Sequence, residues 1–230
     1  MRLLLRALFL LLTFASFSQQ KEVPDFTAVD SLYREDQFYF AFTYNILSNP
    51  ENGIKQNKFS AGFSGGFLRD MPLNKSRTFA IAAGLGYSLQ NYNYNLKVDD
   101  ASGTPIYSLI EPGDTYDKNK LSLHFVDLPI EFRWRTSAPD SHRFWRVYTG
   151  IKLSYLFFDR SRFVDGDEEI IVSGNKDLNS FRYGAYLATG YNTWNAYVYY
   201  GLNPIFTNAR LNGRSVDLQT INIGLMFYIL

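Results

Sequence analysis

The chain has 230 residues, enough for one domain of ordinary size or one small barrel, with a formal net charge of +1 and no cysteine. This charge does not indicate a nucleic-acid groove, which would need a clustered basic excess. The lack of cysteine argues against disulfides, thiolate metal sites, cysteine nucleophiles and a lipoprotein anchor. Aromatic residues make up 17%, and Tyr and Phe at that density are typical of strand surfaces and membrane interfaces.

The first residues have the pattern of an export signal. Arg2 and Arg6 supply positive charge, and residues 7–17 form an apolar stretch too short to cross a bilayer as a helix. Ser16 and Ser18 supply the small residues that a signal peptidase reads. We therefore predict a signal peptide that is cleaved after Ser18, and a membrane-anchor helix is the alternative interpretation.

Apolar and polar residues then alternate along the rest of the chain. Alternation with period two indicates strands rather than helices. Residues 19–37 are predicted to form a short periplasmic leader, and residues 38–230 the barrel. The eight predicted strands lie at about 38–47, 59–68, 79–90, 120–135, 143–157, 180–191, 194–202 and 218–230.

The apolar face of each strand is predicted to meet lipid. In the fourth strand the apolar positions change parity between Phe125 and Leu128, which predicts a β-bulge near Val126 and Asp127. Before that bulge, the pattern places Leu121, Leu123 and Phe125 outward and His124 inward. Other residues predicted to face outward are Phe79, Leu85, Leu153, Leu187, Val198 and Leu225.

The predicted connections alternate in length. Segments 70–76 and 136–142 and the pair Asn192 and Thr193 are short, whereas 96–119 and 159–179 are long and polar. Outer-membrane barrels have short periplasmic turns and longer external loops, although a soluble exported barrel also alternates along its strands. We predict an all-β fold, an eight-stranded antiparallel up-and-down transmembrane β-barrel in the outer membrane, with both termini periplasmic.

Charged residues on the inward face predict a filled polar interior, because an eight-stranded barrel is only wide enough for its own side chains. Buried charges need partners, so Glu131 should reach at least one cation. Arg135 is also predicted to point inward, and an ion path is the alternative interpretation. The predicted salt-bridge network consists of Asp127, Glu131, Arg133, Arg146, Lys152 and Arg182.

The first short connection carries an unusual set of residues. A large cation and an apolar side chain beside a proline of fixed φ exceed what a short turn needs. We predict that Arg69, Asp70, Met71 and Pro72 form a contact surface for a periplasmic or membrane partner. A rigid turn is the plainer alternative.

Residues suited to catalysis are few. The chain has two histidines, His124 and His142, and Ser122 beside His124 is an unspecific pairing. We predict no enzyme activity, no cofactor and no metal site.

Four segments carry a family resemblance, at 34–45, 62–72, 82–88 and 126–134. The last resembles the hydrophobic-acidic-x-Pro-hydrophobic strand of outer-membrane barrels of Bacteroidota, and within that group the mature chain resembles the PorT family. The resemblance implies a role in the type IX secretion system, which exports cargo across the outer membrane and supports gliding in some members. It implies outer-membrane lipid and other secretion components as partners, and no catalytic residues. The alternative is a generic barrel that acts as an adhesin or ligand-binding protein through its long outer loops.

Overall fold

The computed structural model describes residues 36–49, 53–56, 58–100, 103–136 and 145–229. Among these residues there is no helix of the length and apolar character needed to cross a membrane. The predicted signal peptide, most of the predicted leader and His142 lie outside the described residues.

The regular structure of the described ranges consists of β-strands. In chain order they are β1 (Gln37–Ser48), β2 (Ala61–Pro72), β3 (Phe79–Asn93), β4 (Leu96–Asp99), β5 (Ile106–Leu109), β6 (Lys118–Arg135), β7 (Trp145–Asp165), β8 (Glu168–Val172), β9 (Phe181–Tyr191), β10 (Trp194–Gly201), β11 (Arg210–Leu211), β12 (Arg214–Ser215) and β13 (Gln219–Ile229).

Eight of these strands form a closed barrel. The order around the ring is β1, β2, β3, β6, β7, β9, β10 and β13, and every neighbouring pair is antiparallel. The pairings of β1 with β13 and of β6 with β7 leave the ring without an open edge. This confirms the predicted eight-stranded barrel. Its closure gives the backbone N–H and C=O groups of every strand hydrogen-bond partners in a neighbouring strand.

Alternation places apolar side chains on the outside of the barrel. In β1, Phe38, Phe40 and Phe42 are exposed, whereas Tyr39 and Ala41 between them are buried. Five of the six residues predicted to face outward are exposed, and the sixth, Leu153, is half-buried. We call this outer apolar surface the belt.

Aromatic residues border the belt at both ends. All three tryptophans of the sequence lie at the end with the short connections, where Trp134, Trp145 and Trp194 are exposed. At the other end the exposed aromatics include Tyr155 and Tyr183. Two such girdles flank the lipid-facing band of transmembrane barrels.

The predicted bulge lies on a different strand. In β6 the odd-numbered residues remain buried along the whole strand, so its parity does not change. The irregularity is in β7, because His124 pairs with Phe158 and Phe125 pairs with Leu156, which leaves Phe157 as the extra residue. The prediction that Phe125 faces outward and His124 inward was therefore wrong, and Leu121 and Leu123 also point inward.

The physical reason is that the barrel interior is polar at one end of its axis and apolar at the other. Near the long connections the interior is an apolar core in which strand residues such as Tyr92 and Leu123 pack against loop residues such as Tyr107 and Phe206. We call this part the loop half, and the part surrounded by the belt the belt half. The belt half is apolar outside and polar inside, as lipid requires, while the loop half is apolar inside, as water requires.

Candidate functional site

The interior of the belt half centres on Glu131 of β6. Arg133 Nε donates to Glu131 Oε2 at 2.7 Å. The hydroxyls of Tyr186 and Tyr228 donate to Glu131 Oε1 at 2.9 and 3.0 Å. Because β13, which carries Tyr228, stands opposite β6 in the ring, the bond from Tyr228 crosses the lumen.

Asp70 of β2 joins the same cluster. Its Oδ1 accepts from Arg133 Nη1 and Arg135 Nη1, both at 2.9 Å, and its Oδ2 accepts from Arg135 Nη2 at 2.8 Å. The Asp70 side chain is completely buried. The predicted turn at Asp70 is wrong, because β2 continues to Pro72. The alternation from Leu68 to Asp70, both buried, is the sequence signal for this longer strand.

A second ionic group lies on β6 and β7. Ser154 Oγ donates to Asp127 Oδ1 at 2.6 Å, and Lys152 Nζ is 3.7 Å from Asp127 Oδ2. Lys152 Nζ also lies 4.6 Å from the centre of the Tyr199 ring. The two carboxylates predicted from sequence thus lie in separate groups: Glu131 with Arg133, and Asp127 with Lys152.

The other two predicted cations have different surroundings. The Arg146 guanidinium lies 5.7 Å from the Tyr148 ring and 5.6 Å from the Tyr228 ring. Arg182 is buried, and its guanidinium nitrogens have no hydrogen-bond partner among the described residues. A predicted ion pair to a network carboxylate is therefore not seen for Arg182.

The four residues predicted to contact a partner do not all share one surface. Arg69 and Met71 point outward at the end of β2, where Met71 is exposed, whereas Asp70 is inside the barrel. The turn that follows is closed by Leu73 N donating to Phe79 O at 2.8 Å. Arg69, Met71, Pro72 and Leu73, which we call the turn surface, remain available at the short-connection end.

Ser122 and His124 do not pair with each other. Ser122 Oγ donates to Asn91 Oδ1 at 2.8 Å, and His124 Nδ1 lies 2.7 Å from Tyr87 Oη. In the described part of the chain, no group of three or more His, Asp or Glu side chains is placed to hold a metal ion.

The long connections of the loop half are folded. Tyr107 of β5 donates to Asp177 Oδ2 at 3.0 Å, and Asp159 accepts from the backbone N–H groups of Gly174 and Asn175. Burial raises the pKa of Tyr107 above its ordinary value. Asn212 and Gly213 both have positive φ in the β11–β12 turn, as a two-residue hairpin requires.

A closed antiparallel ring with an apolar belt, two aromatic girdles and an ionic interior defines the class of transmembrane β-barrels. Residues 17–207 match the family described as outer membrane protein beta-barrel domain, and the chain belongs to that family. It is an outer-membrane β-barrel protein.

Two solved structures are similar to this chain at low identity. Ail, the attachment invasion locus protein of Yersinia pestis, solved in complex with the heparin analogue sucrose octasulfate, is 10% identical with a TM-score of 0.41, over 86% of this chain and 99% of that chain. A mutant porin of Rh. blastica is 7% identical with a TM-score of 0.22, over 86% of this chain and 100% of that chain. No curated protein matches the chain.

Proposed function

We propose that this barrel is a non-catalytic accessory component of the type IX secretion system, as its resemblance to the PorT family implies. The observation that carries the proposal is the filled lumen of the belt half. Glu131, Asp70 and Arg133 link β6 with β2, and Tyr228 links them to β13 across the ring. A barrel filled in this way acts on exported cargo through its surfaces, because cargo needs a wider channel than side-chain packing leaves.

The turn surface is the proposed contact with the secretion machinery. The start of β1 and the end of β13 lie at the same end of the barrel as this turn, and we propose that this end is periplasmic. Met71 and Leu73 are 46% and 57% exposed there, beside the cation of Arg69. Flexible and aliphatic side chains of this kind supply apolar contact area for a protein partner.

The test combines Arg69→Ser with Met71→Ser. The control combines Arg210→Ser with Ile106→Ser, which removes the same kinds of exposed side chain from the loop half. We expect normal abundance of the first variant in the outer membrane and loss of secreted cargo, with secretion intact in the control. Unchanged secretion in both variants would reject the turn surface as the contact.

A second candidate function is binding of an external ligand, as an adhesin does. The folded long connections of the loop half favour it, because the hydrogen bonds of Tyr107 and Asp159 hold these connections in a fixed outer surface. A strain that lacks the protein separates the two functions. Loss of secreted cargo supports the secretion role, whereas intact secretion with altered surface binding supports the ligand-binding role.

A further inference from the structure

A basic groove lies on the outer wall of the loop half, across β3, β6 and β7. Its volume is about 240 Å³. The side chains that give it its chemistry are Lys118, Lys120, His124, Phe158, Arg160 and Arg162.

The groove begins next to the aromatic girdle of Tyr155 and Tyr183, on the side of that girdle away from the belt. Positions on this side are called above the girdle. Tyr155 of β7 pairs with Val126 of β6 in the girdle, and beyond the unpaired Phe157 the next outward pair is Phe158 with His124. The following outward pairs are Ser122 with Arg160 and then Lys120 with Arg162. Each step adds roughly 7 Å along the strand, which brings the cations to the height of lipid headgroups.

The β7 bulge creates this arrangement. Tyr155 below it and the extra residue Phe157 itself point outward. Above it Phe158, Arg160 and Arg162 point outward, while Asp159 points inward. Without the extra residue, alternation would turn Asp159 outward and both arginines into the apolar core.

The positive charge of the groove is only partly neutralised. Lys120 and Arg162 stand directly opposite each other, and like charges in such a pair destabilise a sheet. Arg162 Nε is 2.6 Å from Glu169 Oε1. Within the described ranges no carboxylate is in ion-pair distance of Lys118, Lys120 or Arg160.

We propose that the basic groove binds the phosphorylated headgroup of a glycolipid of the outer leaflet. The cations hold the phosphate, and the acyl chains lie against Phe157 and Phe158, which are 54% and 45% exposed immediately below. A lipid matches both surfaces, whereas a free phosphate matches only the cations. The inference rests on the proposed outward orientation of the loop half and is independent of the secretion role.

The test measures lipid retention by the full-length barrel with native mass spectrometry. The probes are diphosphoryl lipid A and its dephosphorylated form, each in phosphatidylcholine nanodiscs. The variant combines Lys118→Ser, Lys120→Ser and Arg160→Ser. The control combines Lys55→Ser, Arg210→Ser and Arg214→Ser, which removes the same charge from exposed positions outside the groove.

We expect the triple variant to bind diphosphoryl lipid A roughly a hundredfold more weakly, since each basic residue near an anionic surface contributes about fivefold. The control should bind like the unaltered protein, and the double variant Lys118→Arg with Lys120→Arg should retain binding. Equal binding of dephosphorylated lipid A, or unchanged binding by the triple variant, would overturn the proposal. Displacement of lipid A by millimolar inorganic phosphate would reassign the groove to a free anion, while the secretion proposal is tested separately at Arg69 and Met71.

Discussion

Asp70 is a buried carboxylate that binds two buried arginines in the interior of the belt half. It accepts three hydrogen bonds from two guanidinium groups, those of Arg133 and Arg135. Both arginine side chains are fully buried, so neither can turn to water if that carboxylate is lost. The charge of Asp70 is therefore a structural requirement of the belt half.

We expect Asp70→Asn to lower the free energy of unfolding by about 3–5 kcal/mol, because two buried arginines lose the carboxylate charge that accepts three of their hydrogen bonds. The measurement is urea unfolding of the barrel in lipid vesicles, followed by tryptophan fluorescence. Arg69→Ser is the control on the outward face of the same strand, with an expected change within about 0.5 kcal/mol. Similar losses for the two variants would contradict the role given to Asp70.

Gly86 of β3 leaves space for the ring of Tyr39. A Cβ atom at this position would collide with the Tyr39 hydroxyl, and its next contact would be Gly65 O at 2.9 Å. We expect Gly86→Ala to destabilise the barrel by about 1–3 kcal/mol, and Tyr39→Phe to recover part of that loss by removing the colliding oxygen. The readout is the same unfolding assay, and simple additivity of the two changes would show that they do not share this contact.

At the scale of elements, a strand crosses from one environment to another. The outward face of β7 carries Ile151 in the belt and Val164 in the loop half, on the two sides of the bulge. In lipid a charged side chain cannot be hydrated, whereas on the wall of the loop half water solvates it. One strand therefore follows two opposite rules for its outward residues.

This contrast gives a matched pair of substitutions. Ile151→Arg should lower the free energy of unfolding by about 2–4 kcal/mol, and Val164→Arg by at most about 1 kcal/mol, since the penalty for arginine falls from the bilayer midplane to its edge. Both are measured in phospholipid vesicles. A penalty of equal size at the two positions would show that the belt does not end at the bulge.

The whole molecule combines a belt half whose lumen is filled by side chains with a loop half whose interior is an apolar core. The hydrogen bond from Tyr228 to Glu131 crosses the lumen, Arg133 bonds to Asp70 of β2, and Tyr92 of β3 donates to Thr220 of β13 at 2.7 Å. We expect the reconstituted barrel to show no steady channel conductance in planar lipid bilayers, because these hydrogen-bonded side chains occupy the lumen. Reproducible single-channel steps from the full-length protein would contradict a surface-acting role.

The sequence by itself determined where the barrel strands lie and, in the belt half, which of their side chains point outward or inward. The alternation in 38–47 and 79–90 is a local property of the chain, and so is the short pair at Asn192 and Thr193, where Tyr191 and Trp194 close the turn. Glu131 and Arg133 are two residues apart, so strand geometry alone places them on one face.

Only the tertiary structure decided the remaining contacts. Asp70 reaches Arg133 and Arg135 because ring closure brings β2 and β6 to the same lumen, which no spacing along the chain reveals. Alternation divides a strand into two faces but does not say which face meets lipid, water or core at a given height. Alternation therefore predicts Leu123 on the outside, although Leu123 packs inside the barrel against residues of the loop connections, which are distant in sequence.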